Sequence, residues 1–349
     1  MDCLKYNEDD QLEFDFGDKE LCELNVDFLN RKGIKPSPIY NLFWKYTVER
    51  QKIFYSRAHH NDYPWTNDKI LLKYKFTNVY RASDRVSQYL IRNVIYPDDY
   101  KTYTDEDIIF RILLFKTFNR IDTWRFLEES VGRIDYSSYS FEKYDSVLST
   151  LIEHGTQIYS AAYIMPSASF FGYKKKHRNN LKLLEMMMSD NILLQISKSH
   201  NLKELYDLLI SYPSIGSFLA FQYAIDINYS EICDFSEMDY VVAGPGAKSG
   251  ISKLFIDKNG YSDEDIIRIM TDNQEKEFER LGLSFQYIGN RKLQLIDCQN
   301  IFCEIDKYAR VAYPDIHGIS NRKRIKQLFI PNTTEPIDYY YPPKWKIKL

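Results

Sequence analysis

The sequence predicts a mainly α-helical protein. Apolar residues recur at steps of three and four along most of the chain, which is the spacing of one face of an α-helix. The alternation of apolar and polar residues that is typical of strands is scarce. Helical stretches also flank Pro213–Gly216, where proline cannot continue a helix and glycine tolerates a positive φ. Two helices joined by such a turn form a helix-hairpin-helix.

The composition is that of a globular protein. Of the 349 residues, 44% are hydrophobic and 27% are charged, and the net charge is −3. Tight nonspecific binding of nucleic acid usually needs a basic domain, so any DNA-binding face must be local. No signal peptide opens the chain, and no apolar run approaches the ~20 residues that cross a bilayer. We therefore expect a cytoplasmic protein without membrane contact.

The five cysteines predict neither a disulfide framework nor a metal site. Their number is odd, and the closest pair, Cys298 and Cys303, has no histidine or second cysteine pair nearby. We expect no metal, and the sequence indicates no cofactor.

Residues 1–35 are predicted to form a peripheral N-terminal segment, because they are acidic and weakly patterned. They contain Glu8-Asp9-Asp10 and the run EFDFGDKE. Residues 36–345 are expected to form a single helical domain, with the helix-hairpin-helix lobe at about 201–255.

The first strong helix is predicted over residues 39–57. Glu49 and Arg50 lie at its middle and Arg57 near its end. The apolar face consists of Leu42, Phe43, Tyr46, Ile53 and Phe54. Thr66 is expected to be the N-cap of the next helix.

That next helix is predicted to be long, from Lys69 to Ile95. Asn78, Arg81, Arg85 and Gln88 fall along one of its faces. Such a stripe is usually a solvated face. Two arginines bracketed by Asn and Gln also suit the recognition of phosphates or base edges, so both interpretations stay open.

Residues 104–129 are predicted to form a pair of helices. Thr104 followed by Asp107 approximates a capping box at the start of the pair. Arg111 lies among apolar residues, so we expect it either to snorkel to the surface or to pair with an acid.

A basic run follows a further helical region at 137–166, whose last part is predicted to be a helix over 158–165. Another helix is predicted over 181–188. The run between them is a candidate phosphate contact, although a lone basic run is more often simply solvated. Its candidate residues are Lys174, Lys175, Lys176 and Arg178.

The stretch Leu205–Gly250 contains the helix-hairpin-helix. Backbone N–H groups at the start of its second helix can bind a DNA phosphate. We expect this contact at Ser214, Gly216 and Ser217. An ordinary helical hairpin with a polar exit loop is the alternative.

The last third of the chain begins with an acidic cluster and a Gly-Pro-Gly turn at Gly244–Gly246. Helices are predicted over 262–282, with Ser262 as N-cap, and over 293–310. The run NRKRIK at 321–326 is basic and is suited to lie along a partner. The cluster consists of Asp226, Glu231, Asp234, Glu237 and Asp239.

Six blocks of the sequence together resemble one protein family. They are VERQKIFYSR, PWTNDKILLKYKFTNVYRASDRVSQYLI, EDIIFRILLFKTFNRIDTW, YPSIGSFLAFQYAIDINYS, EMDYVVAGPGAKSGISKLF and DCQNIFCEIDKY. The blocks resemble the helical family named for 5-hydroxymethyluracil DNA kinases and α-glutamyl/putrescinyl thymine pyrophosphorylases, which hypermodify phage DNA. The family also looks like a divergent branch of the helix-hairpin-helix DNA glycosylases and includes anti-phage glycosylases that act on hypermodified bases. The resemblance covers roughly residues 36–345.

The resemblance implies a helix-hairpin-helix DNA glycosylase-like fold, with two helical lobes around a cleft for a flipped DNA base. Residues 36–345 would then be a single catalytic domain. Its partner would be double-stranded DNA containing modified pyrimidines. We expect the base pocket to be lined by Glu49, Arg50, Arg57, Trp65, Asn78, Arg81 and Arg85.

The resemblance also implies where a catalytic carboxylate would lie. Glycosylases of this fold place a catalytic Asp a set number of residues after the second hairpin glycine. Counted from Gly216, that window holds Asp239 and Glu237, and Asp239 is preferred. Its carboxylate would stabilise positive charge that develops on the deoxyribose. A surface or N-cap acid is the alternative for Asp239.

Three functions are compatible with this sequence. The first hypothesis is a monofunctional DNA glycosylase that excises a hypermodified pyrimidine in anti-phage defence, because Phe218 stands where strand-cleaving relatives carry a nucleophilic Lys. The second is a DNA base-modifying transferase, either a 5-hydroxymethyluracil DNA kinase or a pyrophosphate-displacing enzyme. The chain has no GxxxxGK[ST] phosphate loop, which weighs modestly against a kinase. The third is a non-catalytic DNA-binding module.

Overall fold

The structure is a computed structural model that describes residues 5–6, 12–13, 24, 26–332 and 338–348. Most of the predicted N-terminal segment, including Glu8-Asp9-Asp10 and most of the run EFDFGDKE, lies outside the described residues.

The prediction of a mainly helical protein is confirmed. The α-helices of the described residues are α1 (Asp27–Asn30), α2 (Leu42–Ala58), α3 (Lys69–Lys73), α4 (Arg85–Tyr89), α5 (Asp105–Phe118), α6 (Ile121–Val131), α7 (Phe141–Glu153), α8 (Lys176–Ser189), α9 (Ile192–Ile196), α10 (Leu202–Ile210), α11 (Ser217–Ile227), α12 (Pro245–Leu254), α13 (Asp263–Asp272), α14 (Gln274–Arg280) and α15 (Leu295–Ala312). Single 3-10 or π turns lie at Arg81–Ser83, Leu90–Ile95, Tyr100–Thr102, Ser169–Phe171 and Pro343–Trp345.

The strands are short and form two antiparallel pairs. In the first pair, β1 (Lys5–Tyr6) lies beside β2 (Leu12–Glu13). In the second, β3 (Lys35–Pro36) lies beside β4 (Phe255–Asp257).

The chain divides into two compact units. The first unit comprises the described residues of three ranges, up to Asp84, Val241–Tyr339 and Lys348, and the second comprises Arg85–Tyr240 with Tyr340–Ile347. Each unit has its own buried apolar residues.

Helix α15 is the centre of the first unit, where α2, α3, α12 and α13 pack against it. The approach of α12 is close because glycines face α15. A Cβ on Gly250 would overlap the carbonyl group of Phe302, and a Cβ on Gly246 would lie 2.9 Å from the Cys303 sulfur. Only glycine allows two helix backbones to approach this closely.

Helix α5 is the centre of the second unit, where α8, α9, α11 and the π turn at Leu90–Ile95 pack against it. Its capping box at Thr104 and Asp107 is confirmed. The predicted helix pair is confirmed as α5 and α6. They are separated by Asn119, which is in the left-handed conformation with φ 49°, and by Arg120, the N-cap of α6.

Arg111 on α5 differs from both alternatives drawn from the sequence. Its side chain is buried, and it donates to the carbonyl oxygens of Val94 at 2.8 Å, Ile134 at 2.8 Å and Asn93 at 2.9 Å. The guanidinium also lies 4.4 Å from the ring centroid of Tyr103. Backbone dipoles and an aromatic face therefore stabilise this buried cation. The sequence had suggested that Arg111 would pair with an acid or reach the surface. Burial lowers the pKa of Arg111.

The prediction of one long helix from Lys69 to Ile95 is wrong. The chain leaves α3 at Lys73 and runs without regular helix until the 3-10 turn at Arg81–Ser83. Two side chains of α15 bind the intervening backbone. Glu304 Oε2 accepts from the Thr77 N–H at 3.1 Å, and Asn300 Nδ2 donates to the Asn78 carbonyl at 3.0 Å. These bonds replace the intrahelical hydrogen bonds that the periodicity predicted.

The N-cap of α3 also differs from the prediction. Asp68 caps the helix, because its Oδ1 accepts from the N–H groups of Ile70 at 2.8 Å and Leu71 at 2.9 Å. Thr66 instead donates its hydroxyl to Glu49.

The helix predicted over 158–165 is absent, since these residues carry no regular helix. Side chains bind the backbone carbonyls near both ends of this stretch. Thr123 donates to the Ile158 carbonyl at 2.9 Å, and Asn180 donates to the Pro166 carbonyl at 3.1 Å.

Two predictions in the last third also need correction. The Gly-Pro-Gly turn is the start of α12, with Gly244 as N-cap and Pro245 in the first turn, where proline is favoured. The helix predicted over 262–282 is divided into α13 and α14 at Asn273, whose side chain donates to the Ile269 carbonyl at 2.8 Å. The cap at Ser262 is confirmed.

The predicted hairpin between helices is confirmed as α10, a turn, and α11. The residue with positive φ in the turn is Ser214, at 67°, and Gly216 is the N-cap of α11 with φ −79°. The expectation that glycine supplies a positive φ in this turn is therefore wrong, although the turn lies where it was predicted. These elements alone do not show whether the whole fold is that of the helix-hairpin-helix DNA glycosylases.

No α-helix among the described residues is long and apolar enough to cross a membrane.

Candidate functional site

Helix α2 presents several of the predicted site residues on one face. The residues Leu42, Phe43 and Tyr46 are fully buried and anchor the helix in the first unit. Arg50, Ile53 and Arg57 follow one another at steps of three and four further along the helix, and Glu49 precedes Ile53 by four residues, so they share one side. Two adjoining pockets lie on this side of α2.

Two groups of Arg50 are fixed by the irregular segment after α3. Its Nε donates to the Thr77 carbonyl at 2.9 Å, and its Nη2 donates to Asn78 Oδ1 at 2.7 Å. Asn78 is held in turn, because its backbone N–H donates to Asp84 Oδ1 at 2.7 Å. The third nitrogen, Nη1, is buried and has no hydrogen-bond partner among the described residues. The guanidinium is therefore held rigidly with one donor unused.

The first pocket, which we name the Arg50 pocket, has aromatic walls. Its volume is only about 40 Å³, which holds a water molecule or two but no nucleobase. Arg50, Arg57 and Asn78 supply its polar groups. The aromatic residues that line it are Phe54, Tyr63, Trp65, Tyr74, Phe76, Phe329 and Tyr339.

Trp65 lies between the two pockets and lines both. Its Nε1 donates to the Asn61 carbonyl at 2.8 Å, which fixes the orientation of the ring. The guanidinium of Arg57 lies 5.6 Å from the ring centroid, within the range of a cation–π contact. Tyr63 packs edge-on against the same ring at 5.4 Å.

The second pocket, which we name the Glu49 cleft, is wider and open to solvent. Its volume is about 510 Å³, within the usual range for sites of small ligands. Glu49 is 4% exposed, and its Oε1 accepts a hydrogen bond from the Thr66 hydroxyl at 2.6 Å. The other lining residues are Lys52, Tyr55, Ser56, His59, Asn61, Pro64, Trp65, Asn67 and Gln286.

Two titratable groups near these pockets have shifted pKa values. Burial raises the pKa of Asp84 to about 6, against the opposing charge of Arg81 and the hydrogen bond from the Asn78 N–H. Burial also raises the pKa of Tyr55, whose phenol donates to the Tyr287 carbonyl at 2.7 Å.

The structure brings together five of the seven residues predicted to line a base pocket. These five are Glu49, Arg50, Arg57, Trp65 and Asn78. Arg81 is buried in the first unit, where its backbone N–H donates to Asp297 at 2.8 Å, and it lines neither pocket. Arg85 is exposed at the start of α4 in the second unit.

The structure also adds residues that the sequence did not single out. Thr66 and Lys52 line the Glu49 cleft, and Phe329 and Tyr339 line the Arg50 pocket. In the sequence, the high density of aromatic residues between Tyr63 and Phe76 was the one signal that could have indicated a pocket here. Phe329 and Tyr339 are too distant in sequence for any periodicity to place them there.

The predicted catalytic acids belong to the second unit. Asp239 is exposed in a turn, where its N–H donates to the Ser236 carbonyl at 3.1 Å. Glu237 is 4% exposed. Their assignment depended on glycosylase chemistry and stays a prediction.

Two further acids of the cluster, Asp226 and Asp234, form ion pairs within the second unit. Asp226 pairs with Lys116 at 2.6 Å, and both side chains are buried. Asp234 pairs with Lys344 at 3.4 Å, and the same ammonium donates to the carbonyls of Asn228 and Cys233. Both pairs stabilise the unit itself.

The predicted DNA-binding residues also lie in the second unit. Gly216 and Ser217 are exposed at the start of α11, and Ser214 is half-buried in the turn before it. Lys174 is exposed. Three residues of the basic run contact their own unit, since Arg178 pairs with Asp145, Lys176 lies over the Tyr159 ring, and Lys175 donates to Ser149. Their binding of DNA stays a prediction.

Comparison with known proteins identifies the family. The family model described as "5-hmdU DNA kinase, helical domain" matches residues 37–318. A curated protein named 5-hmdU DNA kinase, from Bacillus phage SP10, is 25% identical over 288 residues. That alignment covers 77% of this chain but 45% of the phage protein, so the chain spans less than half the length of that relative. No solved structure matches.

These matches correct the functional prediction. The first hypothesis, a DNA glycosylase and thus a hydrolase, is contradicted, because the family and the relative are both named for a DNA kinase. They support the transferase, which was the second hypothesis. The match covers most of the chain, and the suspected family is confirmed. The chain belongs to the family of the 5-hmdU DNA kinase helical domain.

Proposed function

We propose that this chain acts in the phosphorylation of 5-hydroxymethyluracil in DNA. The family match and the name of the phage relative support this class of reaction. The observation in the structure that carries the proposal is the pair of adjoining pockets beside Trp65, which combine aromatic rings, two arginines and a buried carboxylate.

The Glu49 cleft is the proposed site of the modified base. A base that leaves the DNA stack needs an aromatic surface to replace its lost stacking, and Trp65 offers one at the wall of the cleft. The cleft volume of about 510 Å³ admits a pyrimidine, whereas the Arg50 pocket, at about 40 Å³, does not. The proposed partner is therefore DNA with a flipped 5-hydroxymethyluracil in this cleft.

The Arg50 pocket is the proposed site for phosphate oxygens. Arginine binds phosphate through paired N–H donors, and Nη1 of Arg50 is a buried donor without a partner among the described residues. The bonds to Thr77 and Asn78 hold the guanidinium in place before any ligand arrives. Such a preorganised cation would offset the negative charge of a transferred phosphoryl group.

Glu49 is the proposed proton acceptor. In the reaction, the hydroxymethyl oxygen attacks the γ-phosphorus of a nucleoside triphosphate, its proton passes to Glu49, and the nucleoside diphosphate leaves. The hydrogen bond from Thr66 fixes the orientation of the carboxylate at the wall of the cleft. Asp239 and Glu237 have no part in this proposed step.

A second candidate function follows from the nucleotide side of the reaction. The sequence has no GxxxxGK[ST] loop, and the run that comes nearest to it, AGPGAKSG, is built into the start of α12 against Cys303. The chain would then hold the modified base while a separate polypeptide supplies the triphosphate. The two candidates share the Glu49 cleft and differ in whether this chain transfers phosphate by itself.

One experiment separates the two candidates. The chain is incubated with γ-³²P-labelled ATP and matched duplexes that contain thymine or 5-hydroxymethyluracil, and both transfer and binding are measured. Label on the 5-hydroxymethyluracil duplex alone supports the transferase. Preferential binding of that duplex without transfer supports the base-holding function. Equal binding of both duplexes, with no transfer, would refute both.

A further inference from the structure

Residues 320–327 form a segment, which we name the basic strap, that is fixed at both ends within the first unit. Immediately before it, the Ile319 N–H donates to the Ser252 hydroxyl at 3.0 Å. Two residues after it, the Phe329 N–H donates to the Lys73 carbonyl at 3.0 Å. The strap itself has no regular secondary structure, and hydrogen bonds also hold its two end residues. The Ser320 N–H donates to Ser249 Oγ at 3.3 Å, and the Gln327 carbonyl accepts from the Lys75 N–H at 3.1 Å.

The strap is strongly and locally positive. Arg322, Lys323, Arg324 and Lys326 are four basic residues within five positions, and all four are exposed. No Asp or Glu occurs between residues 316 and 332. Among the described residues, none of the four forms an ion pair. The backbone at the middle of the strap is tied by Arg310, which donates to the Arg324 carbonyl at 3.3 Å.

This charge differs from that of the basic run at 174–178. In that run, Arg178 pairs with Asp145 at 2.8 Å, and the Lys176 ammonium lies 4.0 Å from the Tyr159 ring centroid. Those side chains would have to give up contacts before they could bind a phosphate. The side chains of the strap face solvent, and their contact with a phosphate would release counterions at no such cost.

We propose that the basic strap binds the phosphate backbone of the DNA whose modified base enters the Glu49 cleft. The inference rests on the proposed function. Its structural basis is continuity, because the strap leads directly to Phe329, which lines the Arg50 pocket and packs 6.5 Å from the ring centroid of Trp65.

The test measures binding of the full chain to a duplex that contains only ordinary bases, over a range of salt concentrations. The strap variant is Arg322→Gln/Lys323→Gln/Arg324→Gln. The matched control removes three exposed charges elsewhere in the same unit, as Arg31→Gln/Lys35→Gln/Lys276→Gln. We expect the strap variant to bind roughly tenfold more weakly or worse at low salt, and its log–log salt slope to fall by about 2 to 3. The control should bind within about twofold of the unchanged chain.

Three outcomes would overturn the inference. The first is equal affinity of the strap variant and the unchanged chain. The second is a loss of affinity in Lys174→Gln/Lys175→Gln/Lys176→Gln but not in the strap variant, which would assign the contact to the other basic run. The third is binding of the strap to vesicles of phosphatidylserine in place of the duplex. Failure of the proposed function shows differently, as DNA binding that depends on the strap but does not distinguish 5-hydroxymethyluracil from thymine.

Discussion

At the residue scale, Asp84 links the candidate site to the stability of the fold. Its carboxylate accepts from the Asn78 N–H, and burial raises its pKa to about 6. In the unfolded chain an Asp titrates near 4. Between these two values the folded protein binds more protons than the unfolded one, so the contribution of Asp84 to stability falls as pH rises.

The first prediction is therefore that the free energy of unfolding decreases between pH 4 and pH 6 through Asp84, and that Asp84→Asn removes this decrease. Asn retains an oxygen that can accept from Asn78 but carries no charge to desolvate. Urea denaturation at pH 4 and pH 8 measures the effect. At pH 8 we expect the free energy of unfolding of the variant to be higher, relative to that of the unchanged chain, than at the lower pH. A parallel pH dependence in both proteins would contradict the pKa shift.

The second prediction concerns Glu49. In Glu49→Gln, the amide oxygen can still accept from Thr66, but the side chain can no longer take a proton. We expect the rate of phosphoryl transfer to fall by about 10² to 10⁴ with little change in KM for DNA or in Tm. If the chain only holds the base, the same loss is expected when phosphoryl transfer is measured with this chain and the separate polypeptide that supplies the triphosphate. The control is Glu275→Gln, an exposed acid paired with Lys292. A large fall in Tm without loss of turnover would show that Glu49 is structural.

At the element scale, the contact between α12 and α15 determines the packing of the first unit. In an ordinary helix, replacement of an internal Gly by Ala stabilises the protein, because Ala loses less conformational entropy. Gly250 is an exception, because its Cβ position is occupied by the backbone of Phe302.

The third prediction follows from this contact. We expect Gly250→Ala to reduce the free energy of unfolding by about 1–3 kcal/mol, since the two helices must separate. Gly216→Ala is the control, because its Cβ would meet no atom within 4 Å and its φ of −79° suits any residue. That variant should lose at most about 1 kcal/mol, the usual difference between Gly and Ala at an N-cap. A stable Gly250→Ala variant would mean that α12 can shift along α15 without cost.

At the scale of the whole molecule, affinity and specificity are assigned to different residues of the first unit. The net charge of −3 gives no general attraction for DNA, so the basic strap must supply it locally. Contacts to phosphates position DNA without reading its sequence, and contacts to the base distinguish one base from another. The strap and the pockets beside Trp65 are expected to divide these tasks.

The fourth prediction tests this division. Trp65→Ala should weaken binding of the 5-hydroxymethyluracil duplex by roughly tenfold, since base–aromatic stacking contributes about 1–3 kcal/mol and, in the proposed function, only the flipped modified base stacks on Trp65. Its affinity for an ordinary duplex should stay within about threefold. The strap variant should weaken binding to both duplexes equally. Fluorescence anisotropy with the two duplexes measures both quantities. A strap variant that lost preference, or a Trp65 variant that lost all binding, would contradict the division.

The sequence by itself determined the helical class, most helix positions and the family. Periodicity and capping residues act locally, which is why α2, α5, α15 and the caps at Thr104 and Ser262 are where they were predicted. Five of the seven residues predicted for a base pocket line the two pockets beside Trp65, and three of these five lie on helix α2. That these pockets bind a base stays a prediction.

Only the tertiary structure decided how these elements are used. The stretch from Lys69 to Ile95 has helical periodicity, yet side chains from α15, more than two hundred residues away, bind its backbone and prevent the helix. Periodicity also cannot show that carbonyl groups surround Arg111 or that Phe329 reaches the Arg50 pocket. Hydrogen bonds and packing between distant residues outweigh local propensity, because a buried polar group without a partner costs more free energy than a preferred backbone conformation contributes.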